Sequence, residues 1–369
     1  MKILLLTTHL NIGGISVYTV GAAKYLKKEG IEVIAASSGG ELEDLLAESA
    51  VTHIKMGIKT KAEFGPALFK TIPALIRLIK KEKFDLIHAQ TRVAQVAACM
   101  ASKFTGVPFV STCHGFFRYK KMSRQLFPCW GSKVIAISES VRKHLVEDFN
   151  LEETRVTMIH NGIELEKYQE AHDVKDNELK KKIGIGEKKR VIGAVGRLSG
   201  VKGFNYLVDA FEILSKKYTD IHLLIVGEGK EERSLAKRIK NAGLSDRVTI
   251  ETNNIPLAGY LSLMDIFCLP SILEGLGLSL MEAMASGKAC VASDIGGISE
   301  LIIDGKDGIL VPTRDPSSLA KGISRLLEDE VLRKTLGAKA REKAIENFSI
   351  VESTKKTIRV YEEVIRGRP

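Results

Sequence analysis

Two glutamates, Glu274 and Glu282, stand with seven residues between them in the run Glu-Gly-Leu-Gly-Leu-Ser-Leu-Met-Glu. An apolar stretch ends just upstream at Leu269, glycines follow at 275 and 277, and a helical apolar period begins after Gly277. A strand, a glycine-spaced turn and a helix start would present free N–H groups and the positive end of a dipole, a setting suited to phosphate. Gly277, Leu278 and Ser279 would line that helix start. Glu282, in the second turn, suits the hydroxyls of a ribose, which need an acceptor. Glu274, ahead of the helix, would lie nearer the phosphate end and a transferring sugar.

A second cluster, Gly196-Arg197-Leu198-Ser199-Gly200-Val201-Lys202-Gly203, also follows an apolar run. Arginine offers a planar fork that takes phosphate oxygens in pairs, and lysine adds a mobile point charge. Arg197 and Lys202, in one glycine-punctuated loop, could converge on a diphosphate. The chain contains no D-x-D pair of the kind that carries a divalent metal, so these two cations would have to neutralise a departing diphosphate by themselves; no metal is expected. A third turn, Gly13-Gly14, follows the first apolar run and lets backbone N–H groups approach an anion at a helix start, although a tight turn with no ligand has the same signature. Neither the Walker pattern nor the dinucleotide fingerprint is met: Gly287-Lys288 and Gly305-Lys306 lack the first, Gly13-Gly14 lacks the second, and the lone G-x-G of Gly227-Glu228-Gly229 decides nothing.

The elements that must hold these residues alternate along the chain. Short apolar runs at 2–7, 31–36, 86–89, 109–112, 133–137 and 156–159 are separated by amphipathic stretches at 16–29, 67–82, 92–105 and 138–148. That alternation predicts parallel strands covered by helices on both faces. A charged stretch at 175–190 reads as a helical or irregular linker, after which the pattern restarts. Strands are predicted at 191–195, 222–226, 248–251, 266–269 and 289–293, with helices at 204–218, 231–242, 278–285, 316–347 and 351–365. The fold class is α/β: two doubly wound Rossmann-like domains, 1–170 and 187–349, with ligands expected where strand ends face a cleft.

Composition narrows the alternatives. The 369 residues are 44% hydrophobic and 27% charged, which fits globular domains, and no apolar run approaches the roughly 20 residues of a membrane span. Met1–Leu10 reads as a first strand in place of a signal peptide. Five cysteines without a C-x-x-C pair argue against a disulfide framework or a zinc site, and a cytoplasmic location is expected. The net charge of +10 is spread over both halves and accompanies no nucleic-acid motif, so no nucleic-acid partner is expected. One local mixture stands out: Phe116, Phe117, Arg118, Tyr119, Lys120, Lys121 and Arg124, aromatic and cationic with no acid among them. Following His114-Gly115, it predicts a mobile loop on the acceptor side, able to meet an anionic membrane surface.

Taken in chain order, the chain resembles the GT-B-fold retaining glycosyltransferases of family 4, often called group 1. The resemblance rests on Gly13-Gly14, His114-Gly115, Ser138 with Asn161-Gly162-Ile163, Gly196-Arg197 with Lys202-Gly203, Val226-Gly227-Glu228-Gly229, Glu274 with Glu282, and Ser293-Asp294-Ile295-Gly296-Gly297 before Glu300. It implies that Arg197 and Lys202 hold the diphosphate of a UDP- or GDP-sugar, Glu282 its ribose, and Glu274 its sugar or departing phosphate. Backbone at Asn253, Asn254 and Ile255 would face the base, the N–H groups of Leu278 and Ser279 would add to the phosphate site, and Gly14 would let the first-domain loop close on it. His114 would sit beside the donor sugar and the acceptor, a glycan or glycolipid. His114, Glu274, Arg197 and Lys202 are thus the implied catalytic set, with the nucleotide sugar as co-substrate, no other cofactor, and the last helix (350–369) crossing back onto the first domain. Many members carry Phe where this chain has Leu276. A sugar-nucleotide epimerase and a binding protein without turnover remain open beside transfer.

Overall fold

The computed structural model describes residues 1–60, 63, 65–117, 124, 127–169, 177–252 and 255–367. The chain divides into two compact units, Met1–Ile163 with Ile350–Pro369, and Glu164–Ser349.

In the first unit, strands β1 (Lys2–Leu6), β2 (Glu32–Ser37), β3 (Thr52–Lys55), β4 (Leu86–Ala89), β5 (Phe109–Cys113), β6 (Lys133–Ala136) and β7 (Val156–Met158) alternate with helices α1 (Gly14–Lys28), α2 (Glu43–Glu48), α3 (Pro66–Glu82), α4 (Arg92–Thr105) and α5 (Glu139–Lys143). The strands pair in the order β3-β2-β1-β4-β5-β6-β7, parallel throughout. Ile3, Leu4, Leu5 and Leu6 are all buried, as a strand covered on both faces requires. The order reverses between β1 and β4, so the loops after these two strands flank the switch point where such sheets bind ligands. The edge strand β3 and the short α2 carry little apolar pattern and went unrecognised in the sequence.

The second unit opens with α6 (Glu166–Gln169) and α7 (Asn177–Lys182), followed by β8 (Arg190–Val195), α8 (Phe204–Ser215), β9 (Ile221–Val226), α9 (Glu232–Asn241), β10 (Val248–Glu251), α10 (Leu257–Leu263) and β11 (Ile266–Leu269). It continues with α11 (Leu278–Ala285), β12 (Ala289–Ser293), α12 (Ile298–Leu301), β13 (Ile309–Val311), α13 (Pro316–Glu328) and α14 (Glu330–Asn347). The sheet order is β10-β9-β8-β11-β12-β13, again parallel, with its switch point between β8 and β11. The helix read across 316–347 is two helices, broken where Asp329 caps the second by accepting the Leu332 N–H at 2.8 Å. The charged stretch taken for a linker belongs to this unit. Lys180 is buried and donates to the carbonyls of Glu187 (2.8 Å) and Lys189 (2.7 Å).

The last helix, α15 (Ile350–Arg366), returns to the first unit. Its first N–H donates to the Ile163 carbonyl at 3.0 Å. A Cβ on Gly162 would lie 2.3 Å from Ile350 Cα, so this glycine is where the two backbones touch. Tyr361, fully buried, anchors the middle of the helix in the core. Among the described residues, no helix is long and apolar enough to cross a membrane.

Candidate functional site

In the second unit the loops after β8 and β11 are built against each other. Gly203, with φ +67°, closes the first loop, and a Cβ there would meet the Pro270 carbonyl oxygen at 2.0 Å. The loop after β9 joins them: the Leu198 N–H donates to the Glu228 carbonyl at 2.8 Å, and a Cβ on Gly227 would strike the Gly196 oxygen. Backbone contact at this range leaves no room for side chains, which is why glycine punctuates all three turns.

These contacts bring the sequence-predicted residues together in part. Lys202 and Glu274 form a direct ion pair, with side chains only 21% and 16% exposed, and Ser271 Oγ donates to the same carboxylate at 3.3 Å. The loop thus pairs the expected phosphate cation with the expected sugar carboxylate. A phosphate arriving at Lys202 would have to compete with Glu274 and, in doing so, would free that carboxylate for sugar hydroxyls. Arg197 is exposed and forms no ion pair among the described residues. Gly277 caps α11 with φ +105°, no side chain occupies the cap, and its ideal Cβ position lies 3.7 Å from Glu274 Cγ. The first-turn N–H groups of Leu278 and Ser279 therefore open beside Glu274. Ile255 is half-buried; Asn253 and Asn254 lie outside the described residues.

Glu282 is buried, and its Oε1 accepts a hydrogen bond from the Tyr168 hydroxyl at 2.8 Å. Burial pushes this carboxyl up to about 7; the Tyr168 hydrogen bond and the nearby Lys167 charge oppose the rise. Burial, together with the Glu282 charge, drives the Tyr168 phenol upward, so it stays a donor. Tyr168 carries no motif and was missed in the sequence.

In the first unit, Gly13 precedes α1 with Gly14 as its first residue, and the Val17 N–H reaches the Gly13 carbonyl at 2.9 Å. His114 directly follows β5. Its Nε2 bonds Gln90 Oε1 at 2.9 Å, and its ring stands edge-on to Tyr18 at 5.3 Å between centroids. Burial holds the imidazole down to about 3, so it is neutral at physiological pH.

Comparison with known proteins identifies the family. The profile for Glycosyltransferase Family 4 matches residues 12–167, and that for Glycosyl transferases group 1 matches residues 175–343. The chain belongs to the group 1 glycosyltransferases. Among relatives of this glycosyltransferase, the Escherichia coli UDP-Gal:alpha-D-GlcNAc-diphosphoundecaprenol alpha-1,3-galactosyltransferase is 28% identical over 80% of each chain. The Staphylococcus aureus capsular polysaccharide biosynthesis glycosyltransferase CapM is 27% identical over 89% of each. The crystal structure of Anabaena HepE in complex with UDP and glucose matches with a TM-score of 0.87 at 22% identity, covering 98% of this chain and all of that one. The fold is therefore GT-B.

The segment expected to form a mobile loop meeting an anionic surface has two described members, Phe117 and Arg124, that are tied into the first unit. Arg124 turns inward: its guanidinium grips the buried Glu63 at 2.7 Å and lies 4.9 Å from the Phe117 ring centroid. Glu63 also binds the buried Arg92, whose guanidinium donates to the carbonyls of Phe127 and Pro128. Phe117 packs on Trp130, and its N–H donates to His144 Nε2 at 2.9 Å. Phe117 and Arg124 thus serve as anchors of the loop. A buried carboxylate needs such partners, and nothing in the local sequence links Glu63 to Arg124 across 60 residues. Arg118, Tyr119, Lys120 and Lys121 lie outside the described residues. Among the described residues no group of three or more His, Cys, Asp or Glu lies together as metal ligands would.

Proposed function

We propose that this glycosyltransferase moves a sugar from a UDP- or GDP-activated donor to a hydroxyl of a glycan or glycolipid, with retention at the anomeric carbon and without a metal. The observation that carries the reading is the pairing of Lys202 with Glu274 at the mouth of α11, beside an exposed Arg197 and a buried Glu282 one turn into that helix. Arg197, Lys202 and the N–H groups of Leu278 and Ser279 would hold the diphosphate, and Glu282 would accept hydrogen bonds from the ribose. The bond from the anomeric carbon to the β-phosphate oxygen breaks as the acceptor oxygen bonds to that carbon from the same face. The acceptor proton passes to the departing phosphate, and the nucleoside diphosphate leaves. Charge stabilisation of the leaving group and positioning would supply the rate. His114, neutral and hydrogen-bonded to Gln90, would position the sugar and acceptor hydroxyls.

Support for a uridine donor and a lipid-linked acceptor comes from the relatives' names: a UDP-galactose enzyme acting on a diphosphoundecaprenol sugar, a capsule enzyme, and a neighbour crystallised with UDP and glucose. A cytoplasmic, membrane-peripheral location fits such an acceptor, with Arg118, Lys120 and Lys121 as the cations, and Tyr119 as the aromatic ring, that would meet anionic headgroups. No observation among the described residues favours the epimerase or binding-only alternatives. A thermal-shift panel of UDP-, GDP- and ADP-sugars identifies the donor by mass action. Proton NMR of the product then reads the anomeric configuration. An inverted product, or donor turned into its epimer without acceptor, would overturn the proposal.

A further inference from the structure

Behind His114 lies a chain of polar side chains that the motifs did not reveal. Gln90, 1% exposed, directly follows β4 and sits between two imidazoles. Its amide oxygen meets His114 Nε2 at 2.9 Å, and its amide nitrogen meets His88 Nε2 at 3.2 Å. His88, itself fully enclosed, bonds Thr112 Oγ1 through the same nitrogen at 2.7 Å and the Tyr361 hydroxyl through Nδ1 at 2.5 Å. Tyr361 belongs to α15, 273 residues from His88 in the chain.

We infer that Gln90 is a positioning residue that locks the His88 and His114 rings into opposite tautomers and so fixes which nitrogen His114 offers to the substrate. The inference rests on the reading of His114 given above. A primary amide has a donor on one side and an acceptor on the other. Both rings present Nε2 to it, and burial keeps both neutral. The ring facing the amide oxygen carries its proton on Nε2, and the ring facing the amide nitrogen leaves Nε2 bare, where it also accepts from the Thr112 hydroxyl. As placed, His114 is the Nε2–H tautomer and His88 the Nδ1–H tautomer, its Nδ1–H donating to Tyr361. Turning the amide round would exchange the two protons yet keep the rings opposite. With the amide placed as it is, His114 Nδ1 is a bare acceptor for a hydroxyl of the sugar or the acceptor; with the amide turned round it would be a donor. Tyr361 gives the last helix a direct hold on this arrangement, and Tyr18 packs edge-on against the His114 ring.

The test is long-range proton–nitrogen NMR on the full chain labelled with 15N-histidine, with the two rings assigned by replacing each singly by Gln. Wild type should show one Nδ1–H and one Nε2–H ring without any substrate present. Two rings of the same tautomer would overturn the inference, whatever the enzyme proves to transfer. Gln90→Leu should mix the tautomers of His114 and lower kcat at least about tenfold, with the affinity for UDP unchanged. Gln90→Glu should place a carboxylate between the rings, make both Nε2–H, and introduce a new ionisation into the pH profile of kcat. An unaltered His114 spectrum in Gln90→Leu would equally refute the lock. If the tautomers behave as described but kcat is insensitive to both variants, the lock stands and the role given to His114 falls.

Discussion

Replacing Glu282 by Gln should make the protein more stable and at the same time stop it binding nucleotide. The carboxyl is buried, and its pKa rises from an ordinary 4.5 to about 7 in the fold, with burial the leading cause. A rise of that size is about 3 kcal/mol of unfavourable burial of the charged form. The sign follows from proton counting. Between pH 4.5 and 7 the folded chain keeps this proton and the unfolded chain has lost it, so the wild type loses stability as pH rises through that window and then levels off. Glutamine keeps an oxygen for the Tyr168 hydroxyl and carries no charge. The two proteins should therefore melt alike near pH 4.5, and the variant should melt about 6–12 °C higher at pH 8 for a domain of this size. Differential scanning calorimetry from pH 4.5 to 8 measures the divergence, and the same scans with saturating UDP should show a ligand shift in the wild type alone. A constant difference in melting temperature across that range, or a variant less stable at pH 8, would show that burial of the charged Glu282 carboxylate does not cost the fold this stability.

Three other substitutions probe separate contacts. Glu274→Gln should release Lys202 from its ion pair and tighten UDP binding by up to about tenfold, while lowering the rate of transfer; calorimetric titration and a kcat measurement on the same preparation separate the two effects. Tyr168→Phe removes a hydrogen bond that favours ionised Glu282. The acid limb of UDP affinity, set by a carboxylate that must be charged to accept from ribose, should move up by about one pH unit. Gly162→Ala should force apart the contact with Ile350 and destabilise the first unit by about 2 kcal/mol or more, read as earlier proteolysis at the start of α15.

Much of the fold was legible because buried parallel strands write themselves as apolar runs, as β1, β8 and β11 do, and β4 does apart from His88. Edge strands are less apolar: β3, partly exposed along its length, has no such run, and neither does the two-turn α2. The residues proposed for the donor side were picked out because glycine spacing marks where backbones touch, as at Gly203 and Pro270. Their pairing was not, since no sequence pattern says that Lys202 will rest on Glu274 across 72 residues. Tyr168, Gln90, His88 and Tyr361 act through long-range hydrogen bonds between residue types that are equally common in ordinary cores. The aromatic and cationic segment misled in part for a related reason: Arg124 has the composition of a surface charge, and only the tertiary fold supplies Glu63 to draw it in.

Sugar transfer as proposed requires above all an exposed guanidinium and a helix start that together receive a diphosphate. Isothermal titration of UDP and GDP into the wild type and into Arg197→Ala tests this directly. One nucleotide should bind the wild type at one site per chain. The variant should bind it about 10- to 100-fold more weakly, with an unchanged melting temperature, because Arg197 is exposed and holds no ion pair among the described residues. Binding of neither nucleotide, or equal affinity in the two proteins, would contradict it.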